Sequence, residues 1–405
     1  MKRTIICFII IELIAISCLA ETQKDLRNPQ EKLVTANNDF GFRLFSELTK
    51  NKPLDNIFIS PQSITFALTM TYNGAVGETK EAMAKTLGIK DVALNQLNEA
   101  NLALNSKLKS ADPKVTLNIT NSLWGKAGIE FKPDFLERNK KFYDAKITAL
   151  NFADPKAANV INNWVKEKTN NKITEIIGQN DIDPIYTMLY LINAVYFKGK
   201  WQIEFKKAKT QERTFTLLNN KKKVVPMMSQ SGNYNYLKGD KFQAISLPYG
   251  QGKVSMYIFL PDENSNLNEF LKTLNEKDWS NWMMQFRYMN GNIFLPRFKL
   301  EYEKSLKEIL KSLGMEMAFN PDSADFSDML FSPPALYINE VKHKTFVEVN
   351  EEGTEAAAVT SVTVEATSYQ QPREFTMIVD RPFFCAIRDI ETGSILFMGA
   401  ITEPK

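Results

Sequence analysis

The spacing of apolar residues predicts that helices dominate the first half of the chain and strands the second. Between residues 29 and 50 the apolar positions recur every three or four residues, as on one face of a helix: Leu33, Phe40, Leu44, Phe45 and Leu48. Similar signals predict helices from Pro61 to a break at Gly74, and at 78–87, 92–110, 156–177 and 303–313. Apolar and β-branched runs predict strands at 115–124, 187–197, 242–249, 253–260, 336–349, 374–379, 383–388 and 394–399. Because the two element types are segregated along the chain, the pattern favours an α+β fold over repeated βαβ units.

Residues 354–367 alternate strictly between two sets of side chains. One set is small or β-branched and uncharged: Thr354, Ala356, Ala358, Thr360, Val362, Val364 and Ala366. The other set holds both charges of the segment, Glu355 and Glu365. Successive side chains of a strand point to opposite faces, so this segment could enter a sheet with its uncharged face buried. The pattern fits an edge strand leading into a surface loop, and it fits equally a strand held in reserve outside its sheet.

The residue types present exclude several kinds of catalytic site. His343 is the single histidine of the chain and lies in a strand-like run without a nucleophile nearby, which indicates a structural residue. Cys385 lies in an apolar run that predicts a buried, inert thiol. One histidine and no cysteine pair cannot form a common zinc site, and no glycine-rich phosphate loop is present. We therefore expect neither an enzyme nor a cofactor or metal.

The charge balance argues against a nucleic-acid partner. The chain has 50 basic and 47 acidic residues, a net charge of +3, whereas nucleic-acid-binding surfaces are strongly basic. The densest basic run, Lys221 to Lys223, is predicted to be the solvated tip of a hairpin.

The N-terminal segment has the layout of an export signal. A positive start at Lys2 and Arg3 precedes an apolar stretch that ends near Ala20. The stretch is short for a membrane-spanning helix. The sequence therefore predicts a signal peptide over residues 1–20 and a secreted protein. The residues before Cys18 also resemble a bacterial lipoprotein box, which would instead anchor the protein to the cell surface through that residue.

Motifs along nearly the whole chain, residues 35–404, resemble the serpin family in their order. The early helix and following turn are NIFISPQSITFALTMTYNGAVGETKEAM (56–83), and a strand ending in tryptophan is LINAVYFKGKW (191–201). Further matches are ISLPYG (245–250), LPRFKLE (295–301), ADFS (324–327) and DRPFFCAIRDIETGSILFMGAITEP (380–404). Residues 351–358 resemble the hinge of a reactive-centre loop in its inhibitory form.

The resemblance implies a single domain over residues 30–405 with three β-sheets, about eight or nine α-helices and an exposed reactive-centre loop at 351–376. The hinge residues it implies are Glu351, Gly353, Thr354, Ala356, Ala357 and Ala358. Four residues fall on the family's shutter, a polar cluster under the main sheet: Ser60, Ser63, Asn193 and His343. Trp201 falls on the breach, where the loop first enters the sheet.

The resemblance also implies a mechanism. A target serine protease, or a cysteine protease, would cut the loop and be trapped as a covalent acyl-enzyme while Thr354–Thr367 inserts as a new strand. The expected scissile bond is Thr367–Ser368, with Tyr369, Gln371 and Arg373 as alternatives because the loop is longer than usual. We expect a monomer, and a non-inhibitory binding or carrier protein is the alternative function.

Overall fold

Four predicted helices begin and end within a few residues of where the apolar spacing placed them, and three further helices were not predicted. The computed structural model describes residues 29–50, 55–331, 336–354 and 374–405. The nine α-helices within these residues are α1 (Pro29–Lys50), α2 (Pro61–Tyr72), α3 (Gly77–Leu87), α4 (Leu94–Lys109), α5 (Pro133–Tyr143), α6 (Ala157–Lys168), α7 (Leu267–Leu271), α8 (Glu276–Met283) and α9 (Lys307–Leu310). None of them is long and apolar enough to cross a membrane.

Two predicted helices are shorter than the pattern indicated. The helix expected at 156–177 ends at Lys168, because Asn170 and Asn171 adopt positive φ angles of 52° and 62° that a helix does not accept. The helix expected at 303–313 starts late, since strand hydrogen bonds continue to Ser305. Its last turn widens and ends at Gly314, whose φ is 106°.

The strands of the second half are confirmed, and several more were not predicted. The strands are β1 (Ile57–Ile59), β2 (Val115–Lys126), β3 (Lys146–Leu150), β4 (Leu189–Lys200), β5 (Gln211–Thr216), β6 (Lys222–Lys238), β7 (Phe242–Tyr249), β8 (Val254–Pro261), β9 (Arg287–Pro296), β10 (Phe298–Ser305), β11 (Ile338–Asn350), β12 (Gly353–Thr354), β13 (Phe375–Ile378), β14 (Phe383–Asp389) and β15 (Ile395–Ile401). Two of the missed strands are largely polar, so apolar alternation does not reveal them: β5 contains glutamine, glutamate, arginine and threonine, and β6 contains lysine, serine and asparagine.

Six strands form the main sheet in the order β10-β11-β12-β4-β2-β3. β4 and β11 lie at its centre and pair in parallel from Leu189 with Ile338 to Tyr196 with Phe346. The residues of β4 are almost all buried, since α2 contacts one face of the sheet and α6 covers the other. A strand buried on both faces is fixed in register by its neighbours.

The other strands form one hydrogen-bonded system of nine, although two separate sheets were expected besides the main one. The long strand β6 joins them, because it pairs in succession with β5, with β9 and with β7. The turn between β5 and β6 contains Lys221, so the basic run lies at a hairpin tip, as predicted. The α+β class is confirmed.

An aromatic cluster holds α7 and α8 against the nine-stranded system. Phe259 on β8 is at its centre and is fully buried. Its ring lies within 6.3 Å, centroid to centroid, of six other aromatic rings: Phe242, Phe270, Trp279, Trp282, Phe286 and Phe384. Cys385 is buried nearby, and burial raises the pKa of its thiol well above the ordinary range, as expected of an inert cysteine.

The central position of Phe259 predicts a large loss of stability on truncation. Phe259→Ala should lower the free energy of unfolding by about 3–5 kcal/mol, because it leaves a cavity among six rings. Urea unfolding followed by tryptophan fluorescence measures this. Phe331→Ala is the control, since that side chain is 65% exposed and should change stability by less than about 0.5 kcal/mol. Equal effects of the two variants would contradict the assigned core.

Candidate functional site

The main sheet contains the start of an additional central strand. Above Phe346 and Tyr196, β11 and β4 no longer pair with each other, and β12 lies between them. Thr354 is opposite Val349 of β11 on one side and Gly199 of β4 on the other. The chain therefore turns back after β11 and places Gly353 and Thr354, the two residues of β12, between β11 and β4.

Glycine is required at the point where the chain turns back. Gly353 has a φ of 146°, in the region that favours glycine. A Cβ atom built there would lie 2.1 Å from the carbonyl oxygen of Gly199. Any side chain at position 353 would therefore force β12 away from β4.

Thr354 is tied to the breach by a short chain of contacts. It is fully buried, and its hydroxyl shares a hydrogen bond of 2.7 Å with the hydroxyl of Tyr249. The Tyr249 ring stacks on Trp201 at 4.4 Å between centroids, with planes 9° apart. The sequence did not single out Tyr249, although it lies within the quoted motif ISLPYG.

Trp201, the predicted breach residue, contacts the hinge directly. Its indole N–H donates to the carbonyl of Asn350 at 2.9 Å, and its backbone N–H donates to the carbonyl of Glu352 at 2.9 Å. The backbone N–H of Phe205 donates to the carbonyl of Glu351 at 2.8 Å. Residues 201–205 thus satisfy three successive carbonyls of the turn that precedes β12.

The carboxylate of Glu351 is held by a cation and a hydroxyl. Arg297 donates two hydrogen bonds to its Oε1, one of 2.8 Å from Nε and one from the terminal nitrogen, and Thr210 donates a third of 2.5 Å. Burial opposes ionisation of this group, but the hydrogen bonds from Arg297 and Thr210 outweigh it and lower the pKa of Glu351. Sequence analysis found Glu351 and missed both partners, which are far from it along the chain.

The predicted shutter residues are brought together under the middle of the main sheet. The backbone N–H of Ser60 donates to Nε2 of His343 at 3.1 Å, so the ring proton is on Nδ1, which donates to Oδ1 of Asn193 at 2.5 Å. The amide nitrogen of Asn193 donates to the carbonyl of Ser63 at 3.1 Å. Ser60 acts through its backbone, because its buried hydroxyl has no partner among the described residues.

Asn121 completes this cluster and was not predicted. Its Oδ1 accepts from the amide nitrogen of Asn193 at 2.5 Å. The register places Asn121, Asn193 and His343 in one row across β2, β4 and β11. Burial lowers the pKa of His343 to about 3, so the ring is neutral at physiological pH. An asparagine in a strand carries no sequence signal that would reveal this row.

Part of the predicted site lies outside the described residues. These are the hinge residues Ala356, Ala357 and Ala358 and the proposed scissile pair Thr367 and Ser368. Among the described residues, no three His, Cys, Asp and Glu side chains are grouped so that they could hold a metal.

The arrangement is that of a family whose model, described as "Serpin (serine protease inhibitor)", matches residues 35–404. The chain belongs to the serpin family. Serpin B8 of Bos taurus is 37% identical over 383 residues, which are 92% of this chain and all of that protein. The leukocyte elastase inhibitor of Homo sapiens is 36% identical over 385 residues, with the same coverage. This serpin is also similar to the thermophilic serpin tengpin in its native state, with a TM-score of 0.84 and 37% identity over 93% of this chain and 95% of that one. Members of the family inhibit proteases and are not catalytic enzymes, as expected.

Serpin B8, serpin B11 and the leukocyte elastase inhibitor contradict the expected export. They are serpins of the intracellular type, and they match 92% of this chain over 99–100% of their own length. The prediction of a secreted protein, with a lipid anchor at Cys18 as its alternative, is therefore wrong. Residues 1–20, on which that prediction rested, lie outside the described residues.

The ion pair at the hinge predicts a pH-dependent contribution to stability. At pH 7, Glu351→Gln should lower the free energy of unfolding by about 1–2 kcal/mol, because charge-assisted hydrogen bonds are lost while Arg297 keeps partial access to water. Since the folded-state pKa is lowered, this contribution is present above pH 4.5 and is lost as the pH falls through the folded pKa. Urea unfolding of both proteins between pH 7 and pH 3 should show the difference shrinking. Glu348→Gln is the control, because Glu348 has no ion pair among the described residues; an equal effect would contradict the assignment.

The buried histidine predicts a second pH dependence. Its pKa is about 3 in the folded protein and about 6.5 when unfolded, so stability should be full above pH 6.5 and fall as the pH drops towards 3. The expected slope is about 1 kcal/mol per pH unit between pH 6 and pH 5. The chain has one histidine, and most carboxylates titrate below this window, so the slope reports His343. In His343→Gln it should disappear, and an unchanged slope would contradict the assignment.

Proposed function

We propose that this serpin inhibits a serine protease as a suicide substrate whose cleaved loop inserts between β4 and β11. The observation that carries the proposal is the position of β12, which pairs with both strands as the first two residues of such an insertion. The inserting unit would be a monomer with one domain over residues 30–405 and a reactive-centre loop at 351–376. A cysteine protease is a second class of target for the same mechanism.

The register of β12 says where each later residue would lie if the strand continued. Ala356 would lie between Phe197 and Val347, and Ala358 between Val195 and Thr345. All four of these neighbours are fully buried. The uncharged set of the alternating segment has the same parity as Thr354, whose side chain points into the core. The pattern and the register thus support the same buried face.

The continued register would place Thr360 between Asn193 and His343. Insertion must separate β4 from β11 and so break the hydrogen bond between those two side chains. A threonine hydroxyl is both a donor and an acceptor, so it could bridge the imidazole Nδ1–H and the asparagine Oδ1. Leaving two buried polar groups without partners would cost about 1–3 kcal/mol each. Thr360 is the residue of the segment that would remove this cost.

Insertion would release enough free energy to affect a protease. About a dozen new ladder hydrogen bonds at roughly 0.5–1.5 kcal/mol each give on the order of 10 kcal/mol. Burial of the alanine and valine face adds several kcal/mol more, at about 25 cal/mol per Å². A folded protease is stable by only about 5–15 kcal/mol, so insertion could distort it before the acyl bond is hydrolysed. The native state would then persist because insertion is slow, not because it has the lowest free energy.

The proposed scissile bond is Thr367–Ser368, where the insertable pattern ends. A threonine before the cut suits proteases with a small primary pocket. Cleavage after Tyr369 would indicate a chymotrypsin-like target, cleavage after Arg373 a trypsin-like one, and Gln371 is a further alternative. A carrier without inhibitory activity would be distinguished by a cleaved form that gains no thermal stability.

The experiment is incubation with elastase, chymotrypsin and trypsin, followed by a denaturing gel and sequencing of the released peptide. We expect a covalent complex with at least one protease and a melting temperature that rises after cleavage. Turnover of every protease without a covalent band, and without a rise in melting temperature, would overturn the proposal.

A matched pair of variants tests the insertion face. Ala358→Glu would bring an unpaired carboxylate between Val195 and Thr345, at a cost of several kcal/mol, and should convert the inhibitor into a substrate. Ala357→Glu would point to the other face beside Phe346, where Lys172 and Lys299 lie over the ring, and should still form the complex. Equal complex formation by the two variants would contradict the proposed register.

A further inference from the structure

A cavity of about 450 Å³ lies beside the breach, lined by Trp201 and by residues of β6, β7, β8 and β9. Three of the nine large apolar side chains that are exposed among the described residues line it: Ile203 at 67%, Tyr288 at 73% and Ile390 at 39%. Exposed apolar residues gathered in one place indicate a binding surface more often than residues scattered singly do. A volume of this size suits a small molecule.

The floor of the cavity is a row of side chains across four neighbouring strands, and the outermost member of the row, Tyr288, also belongs to the exposed rim. The register aligns Tyr288 on β9, Asn235 on β6, Ser246 on β7 and Tyr257 on β8. All four line the cavity, together with Ser255, which lies two residues along β8 from Tyr257. The floor therefore offers two aromatic rings with an amide and hydroxyl groups between them.

The lining selects for an uncharged ligand. No lining residue within the described part of the chain is charged, although charged residues make up 24% of the sequence. Ser246 and Ser255 are 5% and 3% exposed, and both line the cavity. A hydroxyl can donate and accept a hydrogen bond, so these two side chains could pair with the hydrogen-bonding groups of a ligand.

One wall of the cavity is the segment that holds the hinge. Trp201 and Phe205 line the cavity and also donate backbone hydrogen bonds to the carbonyls of Glu352 and Glu351. Between them, the carbonyls of Ile203 and Glu204 accept hydrogen bonds of 3.0 Å from the amide of Gln230, which lines the same cavity. A ligand in contact with this wall would also restrain residues 201–205.

We propose that this cavity binds a neutral, ring-containing small molecule with hydrogen-bonding groups, and that its occupancy holds the hinge turn 350–352 and β12 in place. The site is separate from the reactive-centre loop and needs no protease. It is formed by the exposed apolar rim, the aromatic floor with its serine hydroxyls, and the wall of residues 201–205 that also holds the hinge.

The probe is N-phenyl-1-naphthylamine, an uncharged aromatic amine whose fluorescence rises in an apolar site. We expect saturable binding of this probe at one site. Binding of 8-anilino-1-naphthalenesulfonate should be weaker by at least about tenfold, because it has the same rings with a sulfonate that the uncharged lining cannot pair. Equal or tighter binding of the sulfonate would overturn the assigned ligand class.

Three variants locate the site. Ser246→Tyr fills the floor and Ile203→Glu puts a charge on the exposed rim, and each should weaken binding of the neutral probe about tenfold. Met284→Glu is the control, since that side chain is 70% exposed, lies outside the cavity, and should leave binding unchanged. Unchanged binding in Ile203→Glu and in folded Ser246→Tyr would place the probe elsewhere and overturn the proposal.

Amide hydrogen exchange tests the connection to the hinge. With the neutral probe bound, the backbone amides of Trp201, Phe205 and Thr354 should exchange several-fold more slowly, and this protection should be absent in Ile203→Glu. Protection that is the same in both proteins, or absent in the wild type under saturation, would overturn the link. The readout involves no protease, so it is independent of whether the protein inhibits one.

Discussion

The separation of β4 and β11 above Tyr196 and Phe346 is the feature on which the rest of the site depends. Below that point the two strands satisfy each other's backbone groups in a parallel ladder. Above it, the backbone groups of β4 and β11 pair instead with Gly353 and Thr354 of β12. Buried backbone N–H and C=O groups need partners, so the end of one ladder requires the other. The sheet therefore already contains the geometry that a longer inserted strand would extend.

Two groups of side chains hold the central strands, one at the breach, where β4 and β11 are apart, and one at the shutter, within their parallel ladder. At the breach, Trp201, Tyr249 and the ion pair of Glu351 with Arg297 hold the turn from which the loop leaves. At the shutter, the row through Asn193 and His343 holds the central strands together. Polar atoms in both groups are buried, and burial of a polar atom is costly unless it has a hydrogen-bond partner. Such contacts favour one arrangement strongly and lose their value when the strands separate.

The breach is also where the main sheet meets the nine-stranded system. Trp201 forms an isolated bridge with Tyr249 of β7, and the segment after it crosses to β5. The same short segment therefore contacts the hinge on one side and the uncharged cavity on the other. A molecule bound in that cavity would contact the segment that holds the hinge, without competing with a protease for the loop.

The sequence by itself determined the α+β class, the bounds of α1, the positions of eight of the fifteen described strands, the alternating segment and the family, because each depends on local spacing or on ordered motifs. It identified Glu351, Trp201 and His343 through the resemblance, but not Arg297, Thr210, Tyr249 or Asn121, since their partners are distant in the chain and polar strand residues follow no apolar period. It also indicated an export that the relatives contradict. Only the tertiary structure decided the register, because pairing between strands depends on which backbones meet in space. That register makes Gly353 indispensable and places Asn193 beside His343.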